Sequence, residues 1–87
     1  MARVLEGTRV LEFGTFITGP CAGMLLADLG ADVVKIEQPG KGDPFRNYEG
    51  KLYSPQFRAY NARKLSITLD LKAAQAREVV ARLVREA

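Results

Sequence analysis

The chain has no histidine and no tryptophan, and its one cysteine is Cys21. A single cysteine excludes an internal disulfide and points to a reducing compartment or to indifference to redox. Without histidine and with one thiol, a structural zinc site is not expected, nor any other metal. No run approaches the ~18 apolar residues that a membrane-spanning helix needs. The opening Met-Ala-Arg-Val-Leu-Glu-Gly contains an acid and a glycine and lacks an apolar core, so it does not read as a signal peptide. The cytoplasm is the expected location, with no membrane partner.

What is present is ordinary. Of 87 residues, 47% are hydrophobic and 26% charged, values that favour neither disorder nor a fibrous repeat. A chain this short forms one domain at most and buries only about two-thirds of its unfolded surface, so its stability alone is marginal. The net charge of +3 suits nucleic acid, a membrane surface or an anionic ligand. The basic residues are scattered and not grouped in one run, which weighs against the first two.

The periodicity predicts an α/β segment of order β-α-β-loop-β-α. Residues 9–13 read as a short strand between Gly7 and Gly14. A loop, Gly14 to Pro20, leads into a helix from about Pro20 to Leu29, with Pro20 suited to its first turn and Gly30 to its end. That helix is apolar nearly all round, which predicts burial on several sides. Asp32-Val33-Val34-Lys35-Ile36-Glu37 is the clearest strand. Strand, glycine loop, helix and strand make a right-handed βαβ unit on a parallel sheet.

Residues 38–62 open on two prolines and two glycines within seven residues, then carry Tyr48, Tyr53, Phe57 and Tyr60 without clear periodicity. So long a stretch is functional or packed against something else. From Lys64 to Leu71 the pattern alternates strictly. Leu65, Ile67, Leu69 and Leu71 lie on one side, which predicts a strand with one buried face. From about Ala73 the period is helical, with Ala76, Val79, Val80, Leu83, Val84 and Ala87 on one stripe. No glycine or proline ends this helix, and the chain is expected to be a piece of a longer one.

Four groups are candidate sites. The Gly14–Pro20 loop stands where a strand's C-terminal end meets a helix N-terminus, the edge at which open parallel sheets bind ligands. Its spacing is G-x-x-x-x-G, which is neither the dinucleotide fingerprint nor a P-loop. Two readings stand equal: glycines that do no more than turn the chain, or ligand contact by Phe16, Ile17 and Thr18. Glu37 follows Gly14 by about twenty residues, as an acid binding a ribose hydroxyl would, though a structurally paired or solvated glutamate is favoured. In the turn 39–43, Asp43 suits a cap on its own backbone or an i,i+3 clasp with Arg46. Among the basic residues Arg58, Arg63, Lys64 and Lys72, the first two read as solvated. Lys72, just past a strand's end, is placed for a phosphate.

Taken together, these residues resemble one family. Leu5-Glu6-Gly7-x-Arg9-Val10-Leu11-Glu12-Phe13, Gly19-Pro20, Leu25 through Glu37, Pro39-Gly40-x-Gly42-Asp43-x-x-Arg46 and Asn61-x-x-Lys64-x-Ser66-Ile67-x-Leu69-Asp70-Leu71-Lys72 are similar, in order, to the opening of class III CoA transferases. Formyl-CoA transferase, carnitine CoA-transferase and the α-methylacyl-CoA racemases belong to that group. The resemblance covers nearly the whole chain.

It implies a Rossmann-like large domain of which residues 1–87 are the N-terminal part, in an enzyme several-fold longer whose two subunits interlock as a homodimer. The ligands implied are coenzyme A, an acyl-CoA and an organic acid, with no nucleic acid. The implied chemistry is attack of an aspartate on an acyl-CoA thioester, with CoA passing through an aspartyl thioester to an acceptor carboxylate. That aspartate lies downstream of the matched part, so no catalytic residue is assigned here. The implied CoA contacts are Ile17 and Thr18, Gln38, and Leu69, Asp70, Leu71 and Lys72. Gln38 replaces a residue that is often basic in the family. Ile17 stands where formyl-CoA transferase has glutamine, which suggests a less polar acyl group. An acyl-CoA racemase on the same scaffold, a non-catalytic fragment or dimerisation module, and an NAD-binding unit remain as alternatives.

Overall fold

A computed structural model of the chain describes residues 3–40, 42–47 and 54–87. Tyr48 and Tyr53 lie outside them. The described residues form strand β1 (Arg9–Glu12), helix α1 (Thr18–Asp28), strand β2 (Asp32–Glu37), a 3-10 turn (Pro44–Asn47), helix α2 (Pro55–Tyr60), strand β3 (Leu65–Thr68) and helix α3 (Ala76–Glu86). The three strands form one parallel sheet in the order β1-β2-β3.

The end of α1 follows from Gly30. Its φ of +107° is open to glycine and strained for other residues. There the Gly30 amide donates to Ala27 O at 3.0 Å and the Ala31 amide to Leu26 O at 3.1 Å, a Schellman stop. The expected burial of α1 on several sides does not hold. Pro20, Gly23 and Ala27 are buried, whereas Leu25 and Leu29 are exposed. The small residues face the sheet, because close approach to it leaves no room for larger ones. Ala27, Ala31 and Val33 make the core there, with Leu5, Val10 and Leu26 packed around them.

Two short elements sit inside the stretch that shows no periodicity. Helix α2 carries a signal that periodicity does not register. Ser54 caps it by accepting the Phe57 amide at 3.1 Å, and Pro55 stands in its first turn. Strand β3 ends at Thr68, short of Leu71, and α3 begins at Ala76.

The apolar side of β3 is not buried either. Leu65 is 70% exposed and Ile67 37%. In register with Leu11, Val34 and Ile36, they form an apolar row on the sheet face away from Val33 and Lys35. Within that row Ile36 is buried at 6% exposure, and the exposure lies at its β3 end.

Candidate functional site

The face of the sheet that holds Val33 also holds charge. Lys35 is 1% exposed, and its Nζ lies 2.7 Å from Glu12 Oε2 and 2.8 Å from Asp43 Oδ2. It also donates to Gly14 O at 3.1 Å. Lys64, just before β3, donates to the other oxygen of Glu12, to Pro20 O at 2.9 Å and to Asn61 Oδ1 at 2.7 Å. Burial pulls its ammonium pKa down, and the Glu12 carboxylate opposes that shift only in part. A buried charge is tolerated only when paired and hydrogen-bonded, and these are. Lys64, one of the four candidate basic residues and the one without a separate reading beside Lys72, has its donors spent inside the fold.

Glu37, 6% exposed at the end of β2, is held more tightly. Arg46 Nε meets Oε1 at 2.7 Å and Nη2 meets Oε2 at 2.8 Å, a bidentate pair. Ser66 donates to Oε2, and the Asp43 amide donates to Oε1 at 2.8 Å. Burial alone would raise the Glu37 pKa. The hydrogen bonds from Arg46, Ser66 and the Asp43 amide, with the charge of Arg46, outweigh it and lower the value from 4.5 to about 2. Both oxygens are engaged within the fold, as the structurally paired reading expects, which removes the ribose role on which an NAD site would depend.

The expected i,i+3 contact of Asp43 with Arg46 forms through the backbone, the Arg46 amide donating to Asp43 O at 2.9 Å, and not between the two side chains. Lys35 and two backbone amides occupy the Asp43 carboxylate, so the guanidinium turns to Glu37 and lies 4.1 Å over the Phe57 ring. Asp43 does cap its own turn, accepting the Phe45 amide at 2.9 Å.

Above this buried layer, at the C-terminal edge of the sheet, lies an open cleft of about 520 Å³. The loop after β1 (Phe13, Gly14, Thr15), the turn after β2 (Gln38, Pro39, Gly42, Asp43, Pro44) and the segment after β3 (Leu69 to Lys72) line it. The fold thus brings five of the seven expected contacts, Gln38, Leu69, Asp70, Leu71 and Lys72, to one cleft. Ile17 and Thr18 are exposed at the start of α1 and outside its lining.

The glycines of the first loop have a definite role. A Cβ on Gly14 would stand 2.7 Å from Gly19 Cα, so the loop closes on itself through two residues without side chains. The candidate loop Gly14–Pro20 contributes Gly14 and Thr15 and the 39–43 turn contributes Pro39, Gly42 and Asp43, whereas Phe13 and Pro44 belong to no candidate group. No motif marks these two; only their place beside the strand ends does.

Chemically, the cleft offers largely apolar walls and, among the described residues, two ammonium groups: Lys35, which is buried and ion-paired, and Lys72, which is exposed. Of its carboxylates, Glu37 and Asp43 are neutralised by ion pairs, and Asp70 accepts the Lys72 amide at 3.0 Å. Lys72 itself is exposed, and no ion pair to it is found among the described residues. Arg63 is 58% exposed in its side chain and lies 3.6 Å from Asp28, an ordinary surface pair. Among the described residues no cluster of histidine, cysteine, aspartate or glutamate suits a metal ion, and no helix is long and apolar enough to cross a membrane.

Comparison with known proteins agrees on one group. Succinyl-CoA–D-citramalate CoA-transferase of Chloroflexus aurantiacus is 47% identical over 87 residues, covering 94% of this chain and 21% of that protein. Formyl-CoA:oxalate CoA-transferase of Rhodopseudomonas palustris is 43% identical over 88 residues, covering 98% and 21%. Among solved structures, a CAIB/BAIF family protein from Brucella suis is 40% identical with a TM-score of 0.90 over all of this chain and 25% of its own. A hypothetical protein from Mycobacterium tuberculosis is 42% identical with a TM-score of 0.88, over 99% and 24%. The chain therefore spans about a fifth of the length of these curated relatives. Residues 5–87 match the family model over nearly the whole chain, and the protein belongs to CoA-transferase family III.

Proposed function

We propose that the chain is the N-terminal CoA-binding segment of an enzyme that moves CoA between an acyl-CoA and an organic acid. The observation that carries this reading is the cleft at the strand ends, largely apolar along its walls, with the exposed Lys72 in its lining. CoA has a matching make-up: a purine and a pantetheine arm for the walls, and phosphates for an ammonium. Gln38 donates to Gly42 O at 3.2 Å, so it shapes the turn and supplies no charge. In this reading Lys72 is the cation that meets a CoA phosphate.

The relatives named for CoA transfer support the reaction class, and the tied-up carboxylates of the cleft support placing the nucleophile elsewhere in a longer protein. The whole protein works as a homodimer in this reading. The 87 residues alone are not expected to turn over an acyl-CoA with an acceptor acid, and any such turnover would refute the missing nucleophile.

Calorimetry with CoA and with NAD tests the ligand. CoA should bind and NAD should not, and tighter binding of NAD would reverse the assignment. Lys72→Ala should weaken CoA about tenfold, as loss of one charge-assisted contact of about 1.4 kcal/mol would do. Dephospho-CoA should lose much less. Equal losses for both ligands would remove Lys72 from the 3′-phosphate.

A further inference from the structure

One strained residue sits next to the cleft without lining it. Phe16 has a φ of +60°, in the left-handed region that a bulky L residue avoids. Such a conformation persists only where its surroundings hold it. Here the holder is Asp43, 27 positions further along the chain and only 2% exposed. Its Oδ1 accepts the Phe16 amide at 3.2 Å and the Phe45 amide at 2.9 Å. Its Oδ2 lies 2.8 Å from Lys35 Nζ, and Lys35 holds Gly14 O at 3.1 Å. One buried ion pair therefore grips both ends of Gly14-Thr15-Phe16, the carbonyl of the first residue and the amide of the third. The Phe16 and Phe45 rings, 5.4 Å apart between centroids, close the same joint on its outer side.

Gly14 and Thr15 form one wall of the cleft, and Gly42, Asp43 and Pro44 form another. Nothing in turn formation requires a buried carboxylate to reach across to the neighbouring loop. An Asx cap on Phe45 would be satisfied at an exposed position, without an ammonium to neutralise it. The reach to Phe16 has a consequence only for the distance between the two walls.

We propose that Asp43 is a positioning residue that straps the loop after β1 to the turn after β2 and so sets the cleft to the width of its ligand. Its identity as a CoA-class ligand rests on the function proposed above. The strap itself does not.

The experiment is made on the full-length enzyme and has two readouts. Hydrogen exchange in the ligand-free protein reads the strap. Asp43→Ala should speed exchange of the Phe16 amide at least tenfold while the β1 and β2 amides stay protected. CoA calorimetry reads the consequence: the folded variant should bind about tenfold more weakly. Asp43→Asn keeps an oxygen for the two amides and should recover most of both losses.

An unchanged Phe16 amide in Asp43→Ala overturns the strap. A loosened amide with unaltered CoA affinity overturns the positioning role. An Asn variant as impaired as the Ala variant would mean that the oxygen accepting the Phe16 and Phe45 amides does not carry the strap, and also overturns it. If the wild type fails to bind CoA, the proposed function falls, and the strap is then judged on exchange alone.

Should Asp43→Ala fail to fold, Phe16 carries the test from the other side. Phe16→Gly adopts φ +60° freely and keeps its N–H, whereas β-branched Phe16→Val is at its worst there. The valine variant should bind CoA at least fivefold more weakly than the glycine variant. The reverse order, or equality, overturns the proposal.

Discussion

Lys35 shows what a strand pattern leaves open about a single residue. It lies within β2, and the pattern alone says nothing of what its ammonium meets. Its Nζ touches Glu12 Oε2 at 2.7 Å, Asp43 Oδ2 at 2.8 Å and Gly14 O at 3.1 Å, all at 1% exposure. Lys35→Met keeps the apolar stem and removes the charge, leaving Glu12 with Lys64 alone and Asp43 with no cation. Breaking a buried ion pair in this way costs about 3–5 kcal/mol. Denaturant melts of the variant and the wild type should show that loss. A change below about 1 kcal/mol would mean that water already screens the site. Spacing could not reveal this arrangement, because Glu12, Lys35, Asp43 and Lys64 meet only when three strand ends are brought side by side. The family resemblance runs through all four positions, but resemblance marks positions without saying what they touch.

At the scale of elements, Glu37 ties three pieces together: the end of β2, the 3-10 turn through Arg46, and β3 through Ser66. Its pKa, lowered to about 2 from 4.5, makes this tie dependent on pH. A carboxyl whose folded pKa is depressed contributes its full stability above the unfolded value. That stability is lost as pH falls from about 4.5 towards 2. The contribution is about 3 kcal/mol at most. Glu37→Gln should therefore flatten the decline in melting temperature across that acid range and lower stability at neutral pH. Equal acid slopes for the variant and the wild type would show that other carboxyls carry the effect.

The strands and the first helix were legible in the residues because β-branched runs, glycine stops and period-two alternation are local signals. The parallel sheet followed from their order. Helix α2 was missed because six residues are too few for a period, although the Ser54-Pro55 start was there to be read. The site was half legible. Gln38 and Leu69 to Lys72 came from the resemblance and do share one cleft, whereas Phe13 and Pro44 enter it only through the topology.

The whole molecule is a thin layer, 39 × 33 × 16 Å along its principal axes. A folded monomer of 9.6 kDa is expected to expose about 5,100 Å² of surface. This chain exposes 6050 Å², roughly a fifth more than that expectation. The excess has a visible source in Leu65, Leu71 and Val84, each more than half exposed, with Leu25 on the far side of α1. Patterned apolar faces without cover mark surfaces that meet other protein. The 87-residue chain by itself should therefore bind a hydrophobic dye and associate with itself as its concentration rises. Sedimentation velocity over a hundredfold dilution series checks this. Mass above that of a monomer at the concentrated end, falling on dilution, is the expected result. A compact monomer throughout, with no dye bound, would mean that these faces close on themselves in solution. The proposal that this chain is one wall of a larger CoA-binding domain would then lose its physical basis.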